Sequence, residues 1–467
     1  MQYLKKMKFN FRYILGISLV SALGGFLFGY DWVVIGGAKF FYERYFDIAH
    51  LPHLQGIAMS SALIGCIPGA LFAGYISDRF GRKRSLSLAA ILFVLSALGT
   101  GFSQSFTPFM LYRILGGLGV GMASVVSPIY IAEVSPRHMR GKLVAINQLN
   151  IVLGILAAQI INYLIAQEVP PVASDEFILN SWNGQRAWRW MFWAETIPAG
   201  IFFGLSFFIP ESPRWLVKSG FPEPARAILD NIGNDGYGAR ILDEIQASLQ
   251  EVTQKIDYRA LMQKKIRPVL ILGLVLAFFQ QWCGINIVFN YAEEVFTSAG
   301  FGISASLLNI VATGIVNLVF TLVALRTVDR LGRRKLMLLG AAGLAMTYLV
   351  LGACYYYQLN GTIVLMVILV AIGIYGLTLA PVTWVILSEI FPNRIRGAAM
   401  AVASSTLWIS STLLVLLFPI IKSWINISGA FWLYAAICLL GFFYIRAKLP
   451  ETKGKSLEEI EDLFKTN

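Results

Sequence analysis

The segment Asp78-Arg79-Phe80-Gly81-Arg82-Lys83-Arg84 returns 251 residues later as Asp329-Arg330-Leu331-Gly332-Arg333-Arg334-Lys335. In each copy an apolar run of about membrane-spanning length ends at the Asp, and another begins beyond the basic cluster. The Gly permits a tight turn, and so many charges do not enter hydrocarbon. Each copy therefore reads as a short loop between two membrane helices. A second pair agrees: Glu133 through Gly141 (E-V-S-P-R-H-M-R-G) recurs 256 residues later as Glu389 through Gly397 (E-I-F-P-N-R-I-R-G). Pro210-Glu211-Ser212 is answered by Pro450-Glu451-Thr452. Three pairs at nearly constant offset imply a duplicated unit, arranged as parallel repeats about an axis along the membrane normal.

Outward from these loops the composition fits. The chain has 467 residues, 57% hydrophobic and 14% charged, with a mean hydropathy of +0.66; a soluble domain carries about 25% charge. A soluble enzyme is excluded as the default. Apolar runs fall near 13–36, 54–77, 85–103, 107–131, 142–166 and 188–209, then 267–292, 304–326, 336–356, 362–388, 397–419 and 428–447. The expected fold is thus all-α: twelve transmembrane helices in two six-helix halves. The expected units are 1–209, a polar helical linker at 210–266, a second bundle at 267–447 and a tail at 448–467.

The net charge of +12 would suggest a nucleic-acid partner in a soluble protein. Its placement argues otherwise. On alternating loops, 32 Lys and Arg fall on the side of both termini and the linker, five on the opposite side, and Arg113 inside a span. The positive-inside rule then puts both termini in the cytoplasm, with an even number of spans. Lys5, Lys6, Lys8 and Arg12 precede an apolar stretch without a clean cleavage site, which reads as a retained first span. Cys66, Cys283, Cys354 and Cys438 lie far apart in apolar runs and read as small buried hydrophobes; His50, His53 and His138 read as loop residues. No nucleophile, metal-ligand or phosphate-loop pattern appears, so neither an enzyme nor a cofactor is expected.

Three ionisable residues stand well inside the predicted spans: Asp31, Arg113 and Glu195. Counting about 1.5 Å per residue puts all three in roughly the outer third of the membrane. Two carboxylates and one guanidinium leave one negative charge too many for a dry site, which a proton on one carboxylate would relieve. Gln148, Gln280, Gln281, Asn286 and Asn317 interrupt otherwise apolar helices, and Trp384 and Trp408 lie inside spans. Amides offer donor and acceptor on one group, and Trp an apolar face, as an uncharged hydroxyl-rich solute requires. In the repeated loops, Asp78, Arg82, Glu133, Arg140, Asp329, Arg333, Glu389 and Arg396 make a candidate cytoplasmic gate, with Glu133 and Glu389 offering partners to basic residues of the opposite half.

Together these motifs resemble the sugar porters of the major facilitator superfamily, which include bacterial xylose/proton symporters. The resemblance rests on Gly29-Tyr30-Asp31, the paired D-R-x-G-R loops, Arg113-Ile-Leu-Gly-Gly-Leu-Gly-Val-Gly121, Pro210-Glu-Ser-Pro-Arg214, Gln280-Gln-x-x-Gly-x-Asn286, Trp384 ahead of Ser388-Glu389-Ile-Phe-Pro392, and Pro450-Glu-Thr-Lys-Gly454. It implies that Gln148, Gln280, Gln281, Asn286 and Asn317 bond a monosaccharide, that Trp384 and Trp408 border it, and that Asp31 carries a proton beside Arg113 and Glu195. It implies a proton symporter, with a passive uniporter of the same sugars as the alternative; the short loops and the lack of an extended outer loop after span 1 point to a bacterial inner membrane, and a monomer is expected. Two positions depart from the pattern: Leu407 stands where an amide is common, and Asn290 where a Tyr is usual.

Overall fold

The computed structural model describes residues 9–170, 173–234, 236–251, 263, 266–392 and 395–453; the side chains of Asp329 and Arg396 and residues 454–467 lie outside that description. Among the described residues ten helices are long and apolar enough to cross a membrane. They account for the twelve passages once two local departures are recognised. The sixth passage is split at Glu195 into α7 (Trp188–Ala194) and α8 (Thr196–Ser206), each too short to span alone. The last two passages run as one helix, α19 (Arg396–Lys448), kinked at Asn426, whose φ is 55°.

The first half is built from α1 (Phe11–Tyr45), α2 (Pro52–Phe80), α3 (Arg82–Phe102), α4 (Phe106–Val134) and α5 (Arg140–Ile165), a short α6 (Asp175–Asn180), and the α7/α8 passage. Close helix approach substitutes here for side-chain volume, since lipid supplies no hydrophobic drive between helices. A Cβ added to Gly65 would lie 2.0 Å from the Ile114 carbonyl oxygen, and one on Gly117 would lie 1.9 Å from that of Ala62, so α2 and α4 touch backbone to backbone. Between the halves run α9 (Pro213–Lys218), α10 (Pro222–Ile232) and α11 (Tyr237–Glu251), polar helices outside the bundle. Residue Phe9 bridges to Gly233 and sets its ring 5.3 Å from that of Tyr237, tying the N-terminal segment to the linker.

The second half contains the passage α12 (Arg267–Trp282), α13 (Ile285–Asn290) and α14 (Ala292–Ser298), then α15 (Ile303–Leu331), α16 (Arg333–Tyr356), the pair α17 (Gly361–Leu377) and α18 (Leu379–Ile390), and α19. Breaks at Gly284, with φ of 90°, and at Thr378 interrupt two of its passages. Broken helices free backbone polar groups at membrane depth, which is where transporter sites are built.

The halves meet at the end of the bundle away from the linker. There α1 packs on α13 and α14, α2 on α19, and α5 on α15. Gln159 donates to Thr313 across the gap at 3.4 Å, and the Val169 amide to the Ser304 hydroxyl at 3.0 Å. One expectation needs correcting. Asp31, Arg113 and Glu195 are not the only buried charges of the spans, because α1 continues past residue 36 to Tyr45 and buries Lys39 and Glu43, while α14 buries Glu293 and Glu294. These charges ended the apolar runs in sequence without ending burial in space, since they compensate one another.

Candidate functional site

Asp31 on α1, Arg113 on α4 and Glu195 at the α7/α8 break are each 1% exposed. Glu195 keeps helical backbone angles, φ −63° and ψ −26°, and its buried carboxyl lies close enough to Asp31 and Arg113 to interact with both electrostatically. Arg113 donates through Nη1 to Asp31 Oδ1 and through Nη2 to the Asp31 carbonyl oxygen at 3.0 Å. Its guanidinium lies 5.4 Å from the centre of the Phe192 ring. One guanidinium cannot serve two carboxylates fully: Asp31 Oδ2 and Glu195 Oε1 are buried without a hydrogen-bond donor. A buried acceptor left unmet costs about 1–3 kcal/mol, more when charged. A proton on one of the two carboxyls would remove the excess charge.

A cavity beside this group is bounded by Asp31, Arg113, Phe28, Asn290 and Trp408, so it joins residues of both halves. The neighbours of Asp31 along α1 reach across as well. Phe28 packs on Trp408 with ring centres 5.6 Å apart, and Trp32 on Phe289 of α13 at 5.9 Å. These two aromatic contacts join α1, on either side of Asp31, to the second half.

The amides of the second half form a chain. Gln280 Nε2 donates to the Tyr375 hydroxyl at 2.7 Å, Gln281 Nε2 to Gln280 Oε1 at 2.5 Å, and Asn286 Nδ2 to Gln281 Oε1. The left-handed Gly284 makes this possible by turning α13 so that Asn286 faces back toward Gln281. Asn317 is buried on α15 beside Gly376, whose added Cβ would lie 3.4 Å from Asn317 Oδ1. Trp408 is buried, whereas Gln148 is half-buried and Trp384 is 38% exposed, and neither joins the amide chain. Leu407 is buried, and Asn290 Nδ2 donates to the Asn286 carbonyl oxygen at 2.9 Å, supporting the amide chain from below. Sequence reading missed Tyr375 and Gln159; each is a polar group in an apolar run, and only its partner in space distinguishes it.

At the linker end the repeated motifs repeat down to their bonds. Arg82 grips Glu133 with two contacts, at 2.9 and 3.0 Å, and reaches Asp78 at 3.0 Å; Arg333 contacts Glu389 at 3.1 Å. The Ser212 hydroxyl donates to Glu133 at 2.5 Å, and that of Thr452 to Glu389 at 2.6 Å. Glu211 accepts from the Arg82 and Lys83 amides at 2.8 and 3.2 Å, and Glu451 from the Arg333 amide at 2.9 Å, so each P-E-S/T motif caps the helix after the turn. Burial pushes the Glu211 carboxyl above its usual range, and the amides that donate to it oppose that rise. The acidic partners expected across the halves are instead found within them: Glu133 bonds Arg82 of its own half, and Glu389 bonds Arg333 of its own. Packing among α2, α3 and α4 brings Arg82 and Glu133 together within the first half. Arg140 is exposed at the start of α5.

Against known proteins, the family described as "Sugar (and other) transporter" matches residues 17–464. The D-xylose-proton symporter of Escherichia coli K12 is 39% identical, covering 98% of this chain and 97% of that protein. The glucose transport protein of Synechocystis is 40% identical over 97% of each. The inward-open structure of the Escherichia coli xylose transporter superposes with a TM-score of 0.84 at 37% identity, covering 96% of this chain and 99% of that one. The chain belongs to the sugar transporter family. It is a multi-pass helical membrane protein with the major facilitator fold. Contact between the halves at the end away from the linker agrees with the likeness to an inward-open structure.

Proposed function

We propose that this transporter imports a monosaccharide, a pentose or hexose such as xylose or glucose, together with a proton by alternating access, from a bacterial inner membrane with both termini in the cytoplasm. The observation that carries the reading is the buried Asp31–Arg113–Glu195 group with its two donorless carboxylate oxygens. Two ionised carboxylates against one guanidinium are out of balance in a medium without water, and a proton is the smallest ion that restores it. Gln280, Gln281, Asn286 and Asn317 form the wall that takes the sugar hydroxyls, Trp408 borders it, and Gln148 and Trp384 complete the site as the halves move. Because the amides bond one another, exchanging an amide partner for a hydroxyl costs little. Coupling runs along α1: Phe28 on Trp408 and Trp32 on Phe289 link the protonated group to the sugar wall. The cycle needs no resident cofactor, and a single chain contains every group it uses.

The name of the Escherichia coli relative supports coupling of sugar to a proton, and the 32-to-5 placement of basic residues supports the orientation. The test is Asp31→Asn in proteoliposomes. It should abolish accumulation driven by an imposed pH gradient while sugar counterflow persists. Undiminished accumulation would refute coupling through Asp31 and move the proton to another group, whereas no gradient-driven accumulation by the unmodified protein would leave passive transport of the same sugars as the reading.

A further inference from the structure

The last turns of α1 bring two charges into the face between the halves, and α14 and α19 bring three more. Lys39, only 1% exposed, is the hub. Its ammonium lies 3.1 Å from Glu43 one turn along α1, 3.3 Å from Glu293 and 2.6 Å from Glu294, both on α14. Lys422 on α19 closes on the other oxygen of Glu294 at 2.5 Å. Gln55 at the start of α2 donates to Glu43 at 3.0 Å, and the Lys39 ammonium lies 5.7 Å from the centre of the Tyr291 ring. The cluster sits at the end of the bundle away from the linker, beyond Asp31, on the path the proposed sugar site would open to the outside.

We infer that this five-charge cluster is a latch that holds the outer face shut, with Lys39 as its bolt and Glu293 and Glu294 as its keeper. The inference rests on the alternating-access reading and adds to it the groups that set the balance between the two states. The argument is one of partition. Glu43 and Lys39 share a helix and stay together in any arrangement of the halves, whereas every contact of Lys39 with Glu293 and Glu294 is lost when the halves separate there. While shut, the ammonium is dry and surrounded by three carboxylates, and such a charge is tolerated only when paired. When open, water replaces the pairing. The contacts crossing the interface are thus present in one state alone, which is the condition for shifting a conformational equilibrium. By contrast, the Arg82–Glu133 and Arg333–Glu389 pairs lie within halves, so rocking leaves them whole.

The experiment measures the distance across the outer face in the full-length protein, without sugar and without a gradient. Spin labels are placed by His53→Cys on α2 and Trp424→Cys on α19, both exposed, Trp424 by 81%. The reference should show mainly the short distance. Lys39→Met and Glu294→Gln should each raise the ratio of long to short distances about tenfold or more. Glu43→Gln, which removes a contact within α1, should leave the short distance dominant. Lys422→Gln, which removes a contact within the second half, should likewise leave the short distance dominant. If Lys39→Met fails to fold, Glu294→Gln and Glu293→Gln, which also remove contacts across the interface, decide. Unchanged distances in the cross-interface variants that fold, or a shift in Glu43→Gln equal to theirs, overturn the latch. Because the readout needs neither flux nor proton, a failure of symport at Asp31 leaves it interpretable.

Discussion

At the scale of single residues, the proposed chemistry depends on polar groups whose partners are few. Gln281 is central among the amides, since it donates to Gln280 and accepts from Asn286. Replacing it with Ala removes a proposed sugar contact and leaves the Asn286 amide only the backbone carbonyl of residue 281, 3.5 Å away. The expected loss of sugar affinity is about 10- to 100-fold, from about 1–3 kcal/mol for an unmet buried group. Equilibrium binding to the purified protein checks it, and wild-type affinity would remove Gln281 from the site. Leu407 tests the apolar wall beside it. Leu407→Gln should change the ranking of pentoses and hexoses in competition binding, because a new buried amide rewards the sugar that offers it a hydroxyl. An unaltered ranking would show that this side chain does not face the sugar. The residues of these two sites were readable because a charge or amide in an apolar run is conspicuous. Lys39, Glu43, Glu293 and Glu294 escaped for the opposite reason: they lie where apolar runs stop, and charges there read as solvated loop. Their burial depends on partners up to 255 residues away, which no local pattern contains.

At the scale of elements, the number of passages was legible and their interruptions were not. Hydropathy sees length and polarity, while the breaks at Thr378, with φ of −121° and ψ of −87°, and at Asn426, with φ of 55°, are single-residue changes of backbone that a window average smooths over. The D-R-x-G-R turn was legible in full, including its Gly. Gly81 has φ of 96°, and an added Cβ would sit 2.1 Å from Glu211 Oε2; at Gly332 the values are 90° and 2.8 Å from Glu451 Oε2. What the sequence left hidden was that the P-E-S/T motif docks on this turn and caps the next helix, a pairing over 129 residues in the first half. Gly81→Ala should therefore destabilise by about 1–3 kcal/mol through left-handed strain alone. It should also displace Glu211, lowering the thermal midpoint more than Gly332→Ala does. Thermal unfolding in detergent, followed by circular dichroism, checks the order of the two. A larger loss at Gly332 would mean that Glu451 matters more than the geometry of its contact implies.

For the whole molecule, transport requires that the contacts between halves be few, separable and confined to one end at a time. Duplication produces that arrangement directly: each half carries its own Arg–Glu pair and its own helix cap at the linker end, so it can turn as a body. The surfaces that meet at the far end are different in the two halves and were not legible from the repeat. One of them is a steric contact with no charge in it. Near the start of α2, a Cβ on Gly56 would stand 2.2 Å from the Leu416 carbonyl oxygen of α19, so the halves close there backbone to backbone. Gly56→Leu puts four carbons into that gap, and the neighbour it meets is backbone, which has no rotamer to yield. The outer face should then be unable to shut, while each half keeps its internal packing. Sugar should still bind to the purified variant within about threefold of wild type, whereas counterflow, which needs both states, should fall at least about tenfold. Binding and counterflow measured on one preparation separate this from misfolding, which lowers both. Counterflow at the wild-type rate would mean that the outer face seals elsewhere, and the meeting of α2 with α19 would lose its part in the cycle.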